Sequence, residues 1–175
     1  MLFLNVIKTD KMKIFKEEQR FTQLWLIILL VISIFIPLII ILKDVDKMEV
    51  SEIIISLSVI ILAPAIIFIF KLSTRIDEKG IHYKFFPFHI RYRVINWADI
   101  KTAHIRDYDP ITEYGGWGLK GGRLWNKSNG IAVNIKGDIG IQLELISGKK
   151  ILIGTQLREQ AHNTLINYKH KLQNG

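Results

Sequence analysis

Two stretches of this chain are apolar on every face, and they stand close together near its start. Residues 21–42, FTQLWLIILLVISIFIPLIIIL, run 22 positions without a charge, and residues 53–70, IIISLSVIILAPAIIFIF, run 18. At about 1.5 Å rise per residue such helices measure roughly 33 and 27 Å, enough to cross the hydrocarbon core of a bilayer. Apolarity all round speaks against an ordinary helix packed on one side. The first stretch follows a basic leader, as a signal peptide would. Its length exceeds the usual apolar region of such a peptide, however, and no Ala-x-Ala site precedes Lys43.

Beyond residue 70 the period changes from continuous to two. Ile131, Val133 and Ile135 alternate with Ala132, Asn134 and Lys136, and Ile139, Ile141, Leu143 and Leu145 alternate with Gly140, Gln142 and Glu144. Such alternation predicts half-buried antiparallel strands over 131–135 and 139–145. Lys136-Gly137-Asp138 separates them, and Ser147-Gly148-Lys149 leads to a further strand over 151–153. Upstream, 75–77, 81–86, 88–95 and 100–106 read as four more strands. The period then becomes helical: Leu157, Ala161, Leu165 and Leu172 share one stripe of a helix over 156–172, with Thr155 as its N-cap. The expected organisation is a basic leader (1–20), a two-helix hairpin (21–70) and a β-rich domain (71–175).

Charge orients this arrangement. The net charge is +8; residues 1–20 carry five Lys or Arg, 43–52 only two, and 71–175 seventeen against nine acids. Lysine and arginine concentrate on the cytoplasmic side of spans, so a multi-pass protein of the cell membrane with both termini cytoplasmic is expected. A basic domain so close to a bilayer suits anionic headgroups or an acidic partner better than nucleic acid. The spans hold no charge, only Thr22, Gln23, Ser33, Ser56 and Ser58, which favours an anchor over an ion pathway.

About seven strands followed by one helix resemble the layout of a pleckstrin-homology-like (PH-like) barrel. More specifically, TRIDEKGIHYKFFPFHIRYRVINWADI, EYGGWGLK and GIQLELISGKKILIGTQ resemble uncharacterised bacterial membrane proteins in which a cytoplasmic PH-like domain follows a two-helix transmembrane hairpin. The resemblance covers residues 72–160, with Tyr114-Gly115-Gly116-Trp117-Gly118 its most specific part. It implies a fold and a membrane setting and carries no activity over.

Two places invite a binding role. The segment 108–130 holds six of the chain's twelve glycines with Trp117 and Trp125. Although Gly116 to Gly121 fits GxGxxG, neither a following helix nor a βαβ unit supports a dinucleotide site. It is either a ligand or partner loop, built on Tyr114, Gly115, Gly116, Trp117 and Gly118, or a structural corner in which Trp117 plugs an end of the barrel; the corner is favoured. Arg91 and Arg93, with His89 on the same parity, form a row able to grip phosphates or carboxylates if it is more than a solvated strand face.

Candidate chemistry is sparse. There are no cysteines, and the five histidines lack metal-ligand spacing. Asp107, Asp109 and Glu113 lie close in sequence without a calcium-loop pattern, and Asn126-Lys127-Ser128 is a glycosylation acceptor made irrelevant by a cytoplasmic location. The expectation is a non-enzymatic binding or scaffolding module with no cofactor or metal, engaging a protein partner or anionic headgroups. The alternative is an accessory subunit of a larger membrane complex, held through the hairpin.

Overall fold

The structure, a computed structural model, describes residues 14–121 and 129–172. Trp125, Gly122 and the Asn126-Lys127-Ser128 acceptor lie outside the described residues.

Among the described residues the first element is a strand, β1 (Phe15–Arg20), followed by α1 (Leu24–Asp44), a short 3-10 turn and α2 (Val50–Ala65). Together with the flanking turns these make two helical segments, Leu24–Lys47 and Val50–Ile69, with mean hydropathies of 3.3 and 2.6. Both are long and apolar enough to cross a membrane, and neither is buried within the protein. Glu49 and Glu52 form a capping box that starts α2, and Lys47 pairs with Asp44, so the polar loop between the helices is locally satisfied.

The remaining strands are β2 (Lys71–Asp77), β3 (Gly80–Phe86), β4 (Arg93–Asn96), β5 (Ile100–Asp107), β6 (Gly118–Gly121), β7 (Ile131–Asn134), β8 (Ile139–Leu145) and β9 (Lys150–Gly154). A short helix, α3 (Pro110–Tyr114), precedes β6, and α4 (Arg158–Tyr168) follows β9. They form two sheets, of order β1-β2-β3-β4 and β5-β8-β9-β7-β6. Alternating residues of both sheets, among them Leu72, Ile76, Ile81, Val133, Ile141 and Ile153, make one core closed by Ala161, Leu165 and Tyr168 of α4. Trp97, in the turn between the sheets, donates to the Asp77 carbonyl at 2.9 Å and stacks on Tyr168 at 5.2 Å.

Several expectations are corrected. The strands do not close into the barrel that the PH-like resemblance implies. Nine are present among the described residues instead of about seven, and β7 runs parallel to β9 instead of completing an all-antiparallel set. Residues 15–20, expected in a leader, are β1, paired antiparallel with β2 from Phe15↔Ile76 to Arg20↔Lys71. Only the end of the expected strand 88–95 is a strand, because residues 87–92 turn and bend away from β3. Helix α4 starts at Arg158, and Thr155 caps nothing in the usual way: its hydroxyl donates to Glu17 and accepts from the Leu157 N–H.

Pairing β1 with β2 has a geometric result. These strands flank the two long helices, so the helical hairpin is an insertion between neighbouring strands of one sheet.

Candidate functional site

The junction between sheet and hairpin is built from polar and aromatic contacts that sequence reading had not assembled. Glu17, buried on the inward face of β1, accepts from Thr155 Oγ1 at 2.6 Å, the Gln156 N–H at 2.8 Å and Gln19 Nε2 at 3.0 Å. Gln19 Nε2 also donates to the Gly154 carbonyl, and Gln23, just before α1, donates to the Ile135 carbonyl at 2.7 Å. Phe21 and Phe70, the residues entering and leaving the hairpin, meet edge to face at 6.3 Å. The available signal was the alternation Phe15, Glu17, Gln19 against Lys16, Glu18, Arg20. It is period two, but polar on both faces, and so lacks the hydrophobic contrast that marks a strand.

The glycine-rich segment joins the same junction. Asp109 caps α3 by accepting from the Ile111 and Thr112 N–H groups, and Pro110 opens the helix. Gly115 ends it at φ 73°, a left-handed conformation in which a Cβ would be strained. The chain then rounds Trp117 into β6, where the Gly118 N–H donates to Asn134 Oδ1 at 2.8 Å. Asn134 in turn donates to the Tyr108 hydroxyl at 2.8 Å, and burial pushes that phenol up to about 12 despite this hydrogen bond. Trp117 itself is half-buried. Its Nε1 donates to the Gly137 carbonyl at 3.0 Å, and its ring lies 5.7 Å from that of Trp25 in the first turn of α1. It therefore does not plug a barrel end; it leans the domain on the base of a membrane-length helix. Tyr114 is buried beneath the loop, with its hydroxyl between Arg106 and the Asn129 carbonyl.

Arg91 and Arg93 do not form the expected row with His89. Arg93 opens β4 opposite Tyr83, whereas Arg91 stands exposed in the bend before it. His89 turns inward: it is buried edge-on to Tyr83, and its Nδ1 accepts from the Phe85 N–H at 3.3 Å. Burial, aided by the Arg93 charge, holds its pKa below the ordinary histidine value. Arg93 instead lines a groove of about 520 Å³ with Tyr83, Ile95, Leu145, Ile146 and Ile151, rimmed by Asp99 and Lys149. This groove runs beside β4, an edge strand paired on one side only.

The three carboxylates near the loop are not brought together as a pair. Asp107 bonds Arg158, Asp109 caps α3, and Glu113 forms a two-point ion pair with Arg106 at 2.7 and 3.1 Å. That guanidinium, helped by the Asp109 N–H, keeps Glu113 below the ordinary carboxylate range in spite of burial. Asp77 is similarly explained. Burial pushes its pKa up, but His82, the Lys79 N–H and Arg75 together bring it below the usual value. Among the described residues no group of three or more His, Asp or Glu is placed to hold a metal ion.

No protein-family model, no curated protein and no solved structure matches this chain.

Proposed function

We propose that the protein is a membrane-anchored, non-enzymatic binding or scaffolding module that holds an open, PH-like domain at a fixed attitude on the cytoplasmic face of a bacterial cell membrane. In this reading α1 and α2 both span the bilayer, and the lysine and arginine excess of the flanks puts both termini in the cytoplasm. The observation that carries it is the in-register β1–β2 pair. Both ends of the hairpin continue directly into one sheet, so the domain is fixed to its anchor and not tethered by a linker.

A fixed domain presents one groove in one direction. The groove beside β4 offers an unpaired strand edge, an apolar lining from Ile95, Leu145, Ile146 and Ile151, and two positive charges, Arg93 and Lys149, against the single acid Asp99. Those features suit an extended, acidic protein segment that adds a strand to β4. The carboxylates Asp107, Asp109 and Glu113 beside the glycine-rich loop support the non-enzymatic reading, because each is tied to a different structural partner.

The test is photo-crosslinking of the full-length protein in its bacterial host, with a photoreactive residue at Val94 beside the groove or at Lys101 on β5. A discrete adduct from position 94, absent from position 101 and lost on Arg93→Glu, supports the reading. Equal adducts from both positions, or none from 94, would refute it.

One observation favours the second reading, an accessory subunit bound through the hairpin. A cleft of about 400 Å³ lies between the helices, lined by Pro37, Ile40, Ile41, Ile55, Ser56, Val59 and Ile60. Ser56 faces this cleft, whereas Ser33 and Ser58 bond back to Leu30 and Ile54 of their own helices. A crosslinker at Ile60 that captures a membrane protein, while position 94 captures nothing, would select this alternative.

A further inference from the structure

The turn between β3 and β4 carries an apolar tip that the protein itself does not cover. Ile90 is 82 % exposed, more than Val50 at 73 % at the start of α2, and Phe88 is 64 % exposed. Phe86, Tyr92 and Val94 are also exposed. Side chains of this kind, contiguous and open to water, normally mark a surface that meets something apolar.

The turn is ordered, not slack. The His89 N–H donates to the Phe85 carbonyl at 2.8 Å, and the Phe85 N–H donates back to His89 Nδ1, so residues 85–89 close on themselves. With His89 held inward, its neighbours Phe88 and Ile90 are left pointing out. Their level in the molecule is fixed by two contacts. Phe86 is the cross-strand partner of Lys71, the first residue of β2. Phe88 lies parallel to Phe85 at 6.0 Å and packs at 5.9 Å from Phe70, which directly follows the second membrane-length segment. Basic side chains surround the tip: Arg91 and Arg93 are exposed, and Lys84 sits 5.2 Å over the Tyr92 ring.

From this placement we infer that the Phe86–Tyr92 turn is a third membrane contact, its Phe88 and Ile90 side chains entering the acyl boundary of the bilayer while Arg91 and Lys84 lie among anionic headgroups. The occupant is the lipid interface of the same membrane, because the aromatic contact with Phe70 makes the tip continuous with the surface of the hairpin. An apolar face flanked by lysine and arginine is the composition that partitions to this region. With the spans and this turn both engaged, the domain has no freedom to roll about the hairpin axis. The inference rests on α1 and α2 spanning the bilayer.

The absence of native cysteine gives a direct test. Full-length Ile90→Cys, Glu78→Cys and Phe35→Cys variants are labelled with an environment-sensitive fluorophore in vesicles of phosphatidylcholine and phosphatidylglycerol. Glu78 lies in the turn at the other end of β2, roughly 26 Å from Phe70 at about 3.3 Å per strand residue; Phe35 is near the middle of α1. The label at 90 should emit blue-shifted, lose quenching by aqueous iodide and gain quenching from spin-labelled acyl chains, whereas the label at 78 should do the reverse. Iodide access at 90 equal to that at 78, with position 35 shielded, overturns the inference and leaves the spans standing. Iodide access at 35 overturns the spanning reading and this inference with it.

Discussion

Replacing Glu17 by alanine should release β1 from the rest of the domain. Alanine leaves the Thr155 hydroxyl and the Gln156 N–H without the carboxylate that accepts them at 2.6 and 2.8 Å, while Gln19 keeps the Gly154 carbonyl as its acceptor. A hydrogen bond to a charged group is worth about 1.5–3 kcal/mol, so losing two costs about 3 kcal/mol at the lower bound. At 1.36 kcal/mol per decade, opening of β1 becomes roughly 150 times more frequent. Hydrogen–deuterium exchange of the full-length protein in nanodiscs reads this directly, in peptides covering 14–21 and 71–77. Glu18→Ala is the matched comparison. Glu18 points outward from the same strand, and its pair with Lys71 at 2.8 Å is a surface ion pair worth less than about 1 kcal/mol. Its exchange should rise less than about fivefold. If the two variants exchange alike, the buried carboxylate does not hold β1 in place, and the account of a sheet continuous with the hairpin fails.

Three more outcomes are expected. Trp117→Ala removes a ring contact with Trp25 and a hydrogen bond to Gly137, together about 2 kcal/mol, so exchange over 115–121 should rise roughly 30-fold while β8 and β9 hold. His89 is neutral in the fold with a lowered pKa, so the turn it closes is fully stable above the unfolded value of about 6.5 and loses stability as pH falls through the folded one. Exchange over 85–92, corrected for intrinsic rates, should therefore rise as pH falls below about 6.5, and His89→Asn should flatten that response. Glu113 has a lowered pKa, so its contribution is present above the ordinary carboxylate value and disappears as pH falls through its folded one. Arg106→Gln should shift acid opening of the loop, followed by tryptophan emission, to higher pH.

The membrane-length helices were legible because their signal is unmistakable: a long run without a charge has few other uses in water. The strand β8 was legible because Ile139, Ile141, Leu143 and Leu145 alternate cleanly with Gly140, Gln142 and Glu144. Elsewhere the physics that holds the molecule together leaves no apolar pattern. β1 buries Glu17 and Gln19 beside Phe15, and a buried acid reads as a solvated one until its donors are known. Those donors, Thr155 and Gln156, lie more than a hundred residues away. β6 is four residues long and begins and ends with glycine, so periodicity has nothing to count. The row of Arg91, Arg93 and His89 failed for a different reason. Parity assumes one extended strand, and the turn closed by His89 ends the extended run after Phe86. Of the candidate loop, the glycines were legible as turn-makers, but the partner of Trp117 was not, because Trp25 belongs to a segment that reads as pure membrane anchor.

The insertion of two helices between β1 and β2 also sets an order of events during synthesis. β1 is made before its strand partner among the described residues, which is encoded about fifty residues later, a separation whose closure an unassisted chain would have to find by diffusion. If the helical pair spans a bilayer as proposed, its delivery there would do that work in advance, because an antiparallel hairpin returns the chain to the side it left, with Lys71 beside Arg20. On that reading insertion would become the nucleation step of the sheet, and a nascent chain that misses the membrane would have to bring its first strand home by diffusion alone.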